Sequence, residues 1–369
     1  MLASHRTVLR VSLALVLVGA LPPRTASPQL AAPEPAAKIA SAWRALEEHR
    51  YGLAAGLFET AARTSPNDAS LWFGAGVSAL MRGLNGPAET WFENALAIDP
   101  TLTDASILLG QALYRDGRVT DAVHAYERAL IHAPDNPELV EPLARWRVQL
   151  ATDVLFHELR GTHFDIRHLP ADDGLARRVL DVLESAHARL ASELSASTHR
   201  TIQVVLYSPD QFRTVTELPP WAVGIYDGRI KVPLGGTSPS AEQLHRVLEH
   251  ELVHAIVATI AGPTVPAWMN EGLATALEPN GTAWATDVRA ESATPPRADL
   301  LPRAFRNLVP AQARAAYAAS TRVVQRLLDD YGIVAVVRLL RSVGLGIPFQ
   351  EAFYDTVGST VEDFAAATP

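Results

Sequence analysis

The sequence predicts two domains: an all-α solenoid of helical hairpins, then an α+β domain with a small antiparallel sheet and helices packed on it. Three observations carry this. Prolines recur at Pro66, Pro100 and Pro134, a constant spacing of 34, and each follows a pair of short amphipathic segments. After Gly161 the pattern changes to short β-branched runs alternating with helical ones. In the middle of a long helical run of that second part stands "HELVH", His250 to His254.

Composition bounds the rest. A chain of 369 residues, 48% of them hydrophobic, can bury two ordinary cores at roughly 150 residues per domain. Its 32 basic residues stand against 40 acidic ones with no long run of either sign, so it lacks the basic footprint that nucleic acid requires. Cysteine is absent, which removes disulfides and thiolate ligands, and leaves any metal ion to histidine and carboxylate.

Met1 to Leu21 joins a short basic start to the apolar run "VSLALVLVGAL", broken at Pro22 and Pro23. It reads as a secretory signal over residues 1–27, ending at Ala20 or Ala26. The run is about half of the ~20 residues that cross a bilayer, so a cleaved signal is preferred to an uncleaved anchor. No later segment is apolar enough to span. The mature protein is therefore expected to be exported, periplasmic or secreted. Residues 28–35, rich in Pro and Ala, read as a linker.

Counting back from the three prolines, Ala61, Ala95 and Ala129 lie five residues before, and Phe58, Phe92 and Tyr126 eight before. Ala54, Ala88 and Ala122 lie twelve before, and Ala42, Gly76 and Gly110 twenty-four before. Small residues at these positions let paired helices touch, and the aromatics fill the space between neighbouring hairpins. The pattern resembles the tetratricopeptide repeat. Three repeats, with "PELVEPLARWRVQLATDVLFHEL" as a capping and connecting helix, cover 36–159. Such repeats either bind a protein partner in their groove or brace the domain after them.

Residues 160–369 form the second domain. "THFDIRHL" and "TIQVVLY" read as strands on either side of the helical "LARRVLDVLESAHARLASEL". In "WAVGIYDGRIKVPL", Asp227-Gly228 between two β-rich runs signals a hairpin with a two-residue turn. The helix "SAEQLHRVLEHELVHAIVATIAG" opens on Ser240 as N-cap with Gln243 three residues on, and stops at Gly262 and Pro263. "PAWMNEGLATALE" reads as another helix, and from Pro302 onward the chain is helical.

Side chains four apart on a helix share a face, about 6 Å apart along the axis, so His250 and His254 can hold one ion. Glu251 is turned part of the way round, close enough to address a water on that ion without binding it. With 12 histidines in the chain, a chance match to H-E-x-x-H is expected about twice in a hundred such chains. A third protein ligand is needed to leave one position open. The downstream histidine of a metzincin is excluded, because none follows His254. Glu271, in "WMNEGLA", follows His254 after 16 intervening residues, enough for the chain to turn and return.

The run "YDGRIKVP…LEHELVHAIV…PAWMNEGLA" resembles the gluzincin metallopeptidases, in particular the peptidase MA-like domain found beside tetratricopeptide repeats. The resemblance implies one Zn²⁺ held by His250, His254 and Glu271, with Glu251 as general base in peptide-bond hydrolysis. It also implies an oxyanion donor from a downstream helix, for which Tyr317 and Tyr226 are both candidates. The Trp221 to Leu234 hairpin would be the rail on which a substrate backbone pairs. Asn270 and Glu278 are candidates to orient the ligands, whereas Glu249 and His245 are read as solvated or packing residues. The alternatives are a catalytically silent repeat scaffold that keeps a zinc domain, and a zinc amidase acting on cell-wall peptides.

Overall fold

A computed structural model describes residues 34–196, 201–219, 222–281, 305 and 308–368. The expected signal segment and most of the linker lie outside the described residues. The first helix already includes Glu34 and Pro35, so the linker is shorter than expected at its end.

Seven helices make the N-terminal region: α1 (Glu34–Glu47), α2 (Tyr51–Thr64), α3 (Ala69–Met81), α4 (Asn85–Ile98), α5 (Thr103–Arg115), α6 (Val119–Leu130) and α7 (Pro137–Asp153). Pro66, Pro100 and Pro134 fall in the turns between hairpins, where a missing N–H costs nothing. The small and aromatic positions meet as the spacing requires. A Cβ added to Gly76 would overlap the Phe92 ring, and one on Gly110 the Tyr126 ring. Within each hairpin a residue of positive φ reverses the chain: His49 (φ 59), Gly83 (φ 74) and Gly117 (φ 75). They keep the 34-residue step, and glycine takes two of the three because a side chain is strained there.

The second domain is built on a five-stranded sheet of order β1-β2-β3-β5-β4, from β1 (His157–Arg160), β2 (Phe164–His168), β3 (Ile202–Leu206), β4 (Ile225–Tyr226) and β5 (Ile230–Val232). The antiparallel expectation is corrected. β2 pairs with β3, and β3 with β5, in parallel; only the outer pairs β1/β2 and β4/β5 are antiparallel. Parallel neighbours need a crossover connection, and α8 (Asp173–Glu193) and α9 (Pro209–Thr216) provide it. The helix between the two strand-like runs carried that information. A second correction concerns "HEL", read as the end of the connecting helix: α7 stops at Asp153, and His157 begins β1.

One sheet face, with Ile166, Val204, Leu206 and Val232, packs on α8 and on α10 (Ala241–Ala261). Beyond α10 come α11 (Ala267–Leu277), α12 (Pro310–Gly344, broken at Gly332), α13 (Phe349–Val357) and α14 (Val361–Ala366). No described helix is long and apolar enough to cross a membrane.

The two regions meet along the hairpin turns of the repeats. Gly52 N–H donates to the Gly346 carbonyl at 3.4 Å. The Gly83 backbone lies against Gly262, and Gly228 lies against the Arg115 carbonyl, too closely in both cases for a Cβ. Behind these contacts runs a buried polar seam. The Arg229 guanidinium donates to Asp153 at 3.1 Å, with both side chains 3% exposed, and Tyr207 donates to the same carboxylate at 2.6 Å. The Lys231 ammonium donates to Asp227 at 2.8 Å, to the Tyr114 hydroxyl at 2.6 Å and to Gln149 at 3.2 Å.

Removing one member of a buried pair strands the other charge, at about 3–5 kcal/mol. Asp153→Ala should lose stability on that scale in urea unfolding, and Asp153→Leu with Arg229→Met should recover most of it. Full stability in the single variant would show that the seam does not hold the regions together.

Candidate metal centre

The candidate site is assembled from two helices, α10 and α11, with α12 beside them. Ser240 caps α10, its hydroxyl accepting from Gln243 N–H at 3.1 Å, and the helix then runs 21 residues through the middle of the domain. His250 and His254 project one turn apart from one face, with ring centroids 4.8 Å apart. The break at Gly262 (φ 68) and Pro263 turns the chain, and α11 returns Glu271 to the same point.

Glu271 Oε2 lies 3.4 Å from Nε2 of His250 and 3.4 Å from Nε2 of His254, and the three donor atoms all fall within 4.8 Å of one another. Yet Oε2 makes no hydrogen bond: the donors face a common point rather than each other. Bonds of about 2.0–2.1 Å from such a point, at tetrahedral angles, give donor separations of about 3.3–3.4 Å. The two separations from Glu271 Oε2 match that spacing, and two imidazoles with one carboxylate are a donor set that would leave a fourth position on zinc open.

The charges agree. Burial opposes a positive His250, but the carboxylates of Glu271 and Glu278 outweigh it and lift its pKa well above the ordinary value. Burial likewise opposes a positive His254, and Glu271 more than offsets it. Burial pushes Glu271 up, but the two histidines, His254 first, pull it far below the usual carboxylate range. The carboxylates thus demand positive charge at this point, from protons or from a metal.

His250 Nδ1 pairs with Glu278 Oε2 at 2.8 Å; a carboxylate accepts, so Nδ1 donates and Nε2 is the ring atom turned toward Glu271. Glu278 is the residue that ends α11, so it serves as the support for His250 and not as a ligand. Four buried polar atoms here have no hydrogen-bond partner among the described residues: Glu251 Oε2, His254 Nδ1, Asn270 Oδ1 and Glu271 Oε2. Native interiors leave few such groups, and their concentration here marks a place made for an ion, water or substrate. Burial raises the Glu251 carboxyl above its ordinary pKa, with the two histidines opposing.

The two tyrosines separate. Tyr317, on α12, has its ring centroid 6.3 Å from that of His250, and its hydroxyl is raised by burial and then by the charges of Glu271 and Glu251. Tyr226 is pushed up to about 12 by burial and then by Asp227 and Asp116, so its charged neighbours are the β4–β5 turn and the repeats rather than Glu251 and Glu271. Glu249 is buried between Arg189 and His245, 3.0 Å from the latter; it is a packing residue. β4 is an edge strand, and its connection to β5 spans three residues rather than two, since Tyr226 pairs with Ile230. Trp221 lies outside the described residues. Just before β4, Gly224 rests on the Glu251 carboxylate so closely that a Cβ would overlap it. Sequence reasoning passed over Gly224, since a glycine before a strand carries no chemical signal of its own. A cleft of about 1050 Å³ runs between this site and the repeats, bordered by His254, Asn270 and Tyr226 on one side and by Gly83, Arg115 and Gly117 on the other.

Against this geometry, comparison with known proteins bears on the N-terminal region. Tetratricopeptide repeat models match residues 39–102 and 80–145, so this region carries tetratricopeptide repeats. Among solved structures, the first TPR of Spaghetti (RPAP3) bound to the HSP90 peptide SRMEEVD is similar at 20% identity, with a TM-score of 0.30, over 32% of this chain and 95% of that one. No curated protein matches the chain.

Gly224→Ala should cost about 1–3 kcal/mol by overpacking. In the Gly224→Ala/Glu251→Ala double variant much of that cost should vanish. Strict additivity of the two changes in urea unfolding would show that the residues do not touch.

Proposed function

We propose that the chain is an exported zinc-dependent metallopeptidase of the gluzincin type, with His250, His254 and Glu271 as ligands and Glu251 as general base. The observation that carries the reading is the pair of 3.4 Å donor separations around Glu271 Oε2, beside a buried carboxylate without a partner on Oε2. Bound zinc supplies Lewis acidity, polarising a carbonyl and making water acidic enough to ionise near neutral pH.

The remaining steps fall to the chain's own residues. Glu251, its pKa raised by burial, takes a proton from the attacking water as the new C–O bond forms at the peptide carbon. It then delivers that proton to the amide nitrogen as the C–N bond breaks. Tyr317 stays protonated, because burial and the nearby carboxylates raise its pKa, and so can donate to the oxyanion. Glu278 keeps His250 in the ligating tautomer. β4, an edge strand beside Glu251, offers free backbone groups along which an extended peptide can pair.

A second role accompanies this one. Tetratricopeptide repeats suggest protein binding or scaffolding, and the matched region gives the chain a surface for recruiting a partner or protein substrate.

Glu251→Gln should retain zinc and lose roughly 10²- to 10⁴-fold in peptide turnover, the usual share of a general base. A variant that keeps more than a tenth of wild-type turnover would place the base elsewhere. Glu271→Ala should lose zinc in competition with a chromophoric chelator, whereas Glu249→Ala should keep it and be less stable instead. Wild-type zinc affinity in Glu271→Ala would sink the ligand assignment.

A further inference from the structure

Arg115 stands at the end of α5, in the third repeat hairpin, and borders the cleft that also touches His254 and Asn270. Its Nη1 is buried and has no hydrogen-bond partner among the described residues. The charged groups of this region each have an ion-pair or hydrogen-bond partner elsewhere, although Asp227 Oδ1 and Arg229 Nη2 also have none among the described residues. Asp227 is held by Lys231 at 2.8 Å, Arg229 by Asp153 at 3.1 Å, and Arg118 by Glu89 and Asp121, each at 2.7 Å. Asp116 accepts from Asn85 at 2.7 Å. Arg115 forms no ion pair with a described carboxylate.

A guanidinium partly removed from water with no counter-charge is costly, and its planar fork matches a carboxylate. The Arg115 backbone is also fixed, since its carbonyl packs against Gly228 in the turn between β4 and β5. The root of the side chain is therefore held beside the turn that leads from the edge strand to β5.

We propose that Arg115, supplied by the repeats, binds a carboxylate of the peptide substrate in the cleft, so that the repeat region sets specificity for anionic peptides. This rests on the hydrolytic reading of the metal centre for its substrate class. The carboxylate has two possible sources, the peptide's own C-terminus or an acidic side chain, and both present the same two oxygens.

The test uses the full chain carrying Glu251→Gln, so that binding is read without turnover. Three fluorescein-labelled alanine-based peptides serve as probes: one with a free C-terminal carboxylate, one amidated, and one amidated but containing a glutamate. Anisotropy titration should show the free carboxylate bound roughly tenfold or more tighter than the plain amide, the worth of one charge-assisted contact. Recovery of that gain by the glutamate peptide assigns the anchor to side chains, and absence of recovery assigns it to the C-terminus. Arg115→Gln should abolish the preference, and Arg115→Lys should keep part of it. Equal binding of all three peptides, or a preference that survives Arg115→Gln, overturns the proposal. The comparison among peptides is made with Arg115 intact, so it does not depend on how the variants fold. Zinc content of the same preparation is measured separately, so that loss of the metal reading is distinguishable from loss of the carboxylate site.

Discussion

The buried pair of Asp153 and Arg229 is the constraint on which the rest of the arrangement depends. Asp153 ends the last helix of the repeat region, and Arg229 immediately precedes the strand that closes the edge hairpin. Each is nearly inaccessible to water, so neither tolerates loss of the other. Lys231, two residues along, ties the same strand to Tyr114 and Gln149 of the repeats. With β5 held from behind at two points, β4 has no freedom to slide, and Gly224 comes to rest on Glu251. The position of the carboxylate in the site is thus decided in part by contacts that begin in the repeats.

The candidate metal centre shows a different economy of parts. α10 is buried along most of its length, with Leu252, Val253 and Ile256 fully enclosed, so the two histidines cannot swing away without opening the core. Glu271 comes from a helix that reverses direction only because Gly262 and Pro263 stop α10. Rigidity on two sides means that the three side chains are placed by the fold itself. Nε2 of each histidine lies 3.4 Å from Glu271 Oε2, close enough for a shared proton. Protonation of the histidines is the alternative way to satisfy Glu271, so proton and metal compete for one place.

Much of this was legible in the sequence. The repeat spacing located every hairpin, because a close helix contact demands a small residue opposite an aromatic, and Gly76 with Phe92 meets that demand visibly. The meeting of His250, His254 and Glu271 was legible because residues four apart share a helix face and the Gly262–Pro263 break lets the next helix return. The sheet was misread because strand polarity is set by the connection rather than by the strand, and attention to "LARRVLDVLESAHARLASEL" as a crossover would have corrected it. "HEL" was lost to α7 because three residues show no period. The seam was invisible: Asp153, Arg229 and Lys231 look like ordinary surface charges until the fold buries them, and Gly224 and Arg115 acquire meaning only from what lies across from them.

The repeat period has a further consequence for how the two regions fit. Turns spaced 34 residues apart present Gly52, Gly83 and the Arg115–Gly117 corner along one edge of the solenoid, and each meets a separate part of the second domain: Gly346, Gly262 and Gly228. Backbone lies on backbone at these points, with no side chain to absorb a mismatch, so the rise of the solenoid has to match the spacing of its landing sites. Contacts of that kind resist sliding and hinge motion more than a layer of flexible side chains does. They also make the cleft a joint product of both regions, because its far wall combines the turns at Gly83 and Gly117 with helix residues such as Tyr114 and Trp146. A change in repeat packing that shifts one turn must either open the contact or move the element opposite. At Gly262 that element is the stop signal between the histidine helix and the glutamate helix, and at Gly228 it is the hairpin beside Glu251.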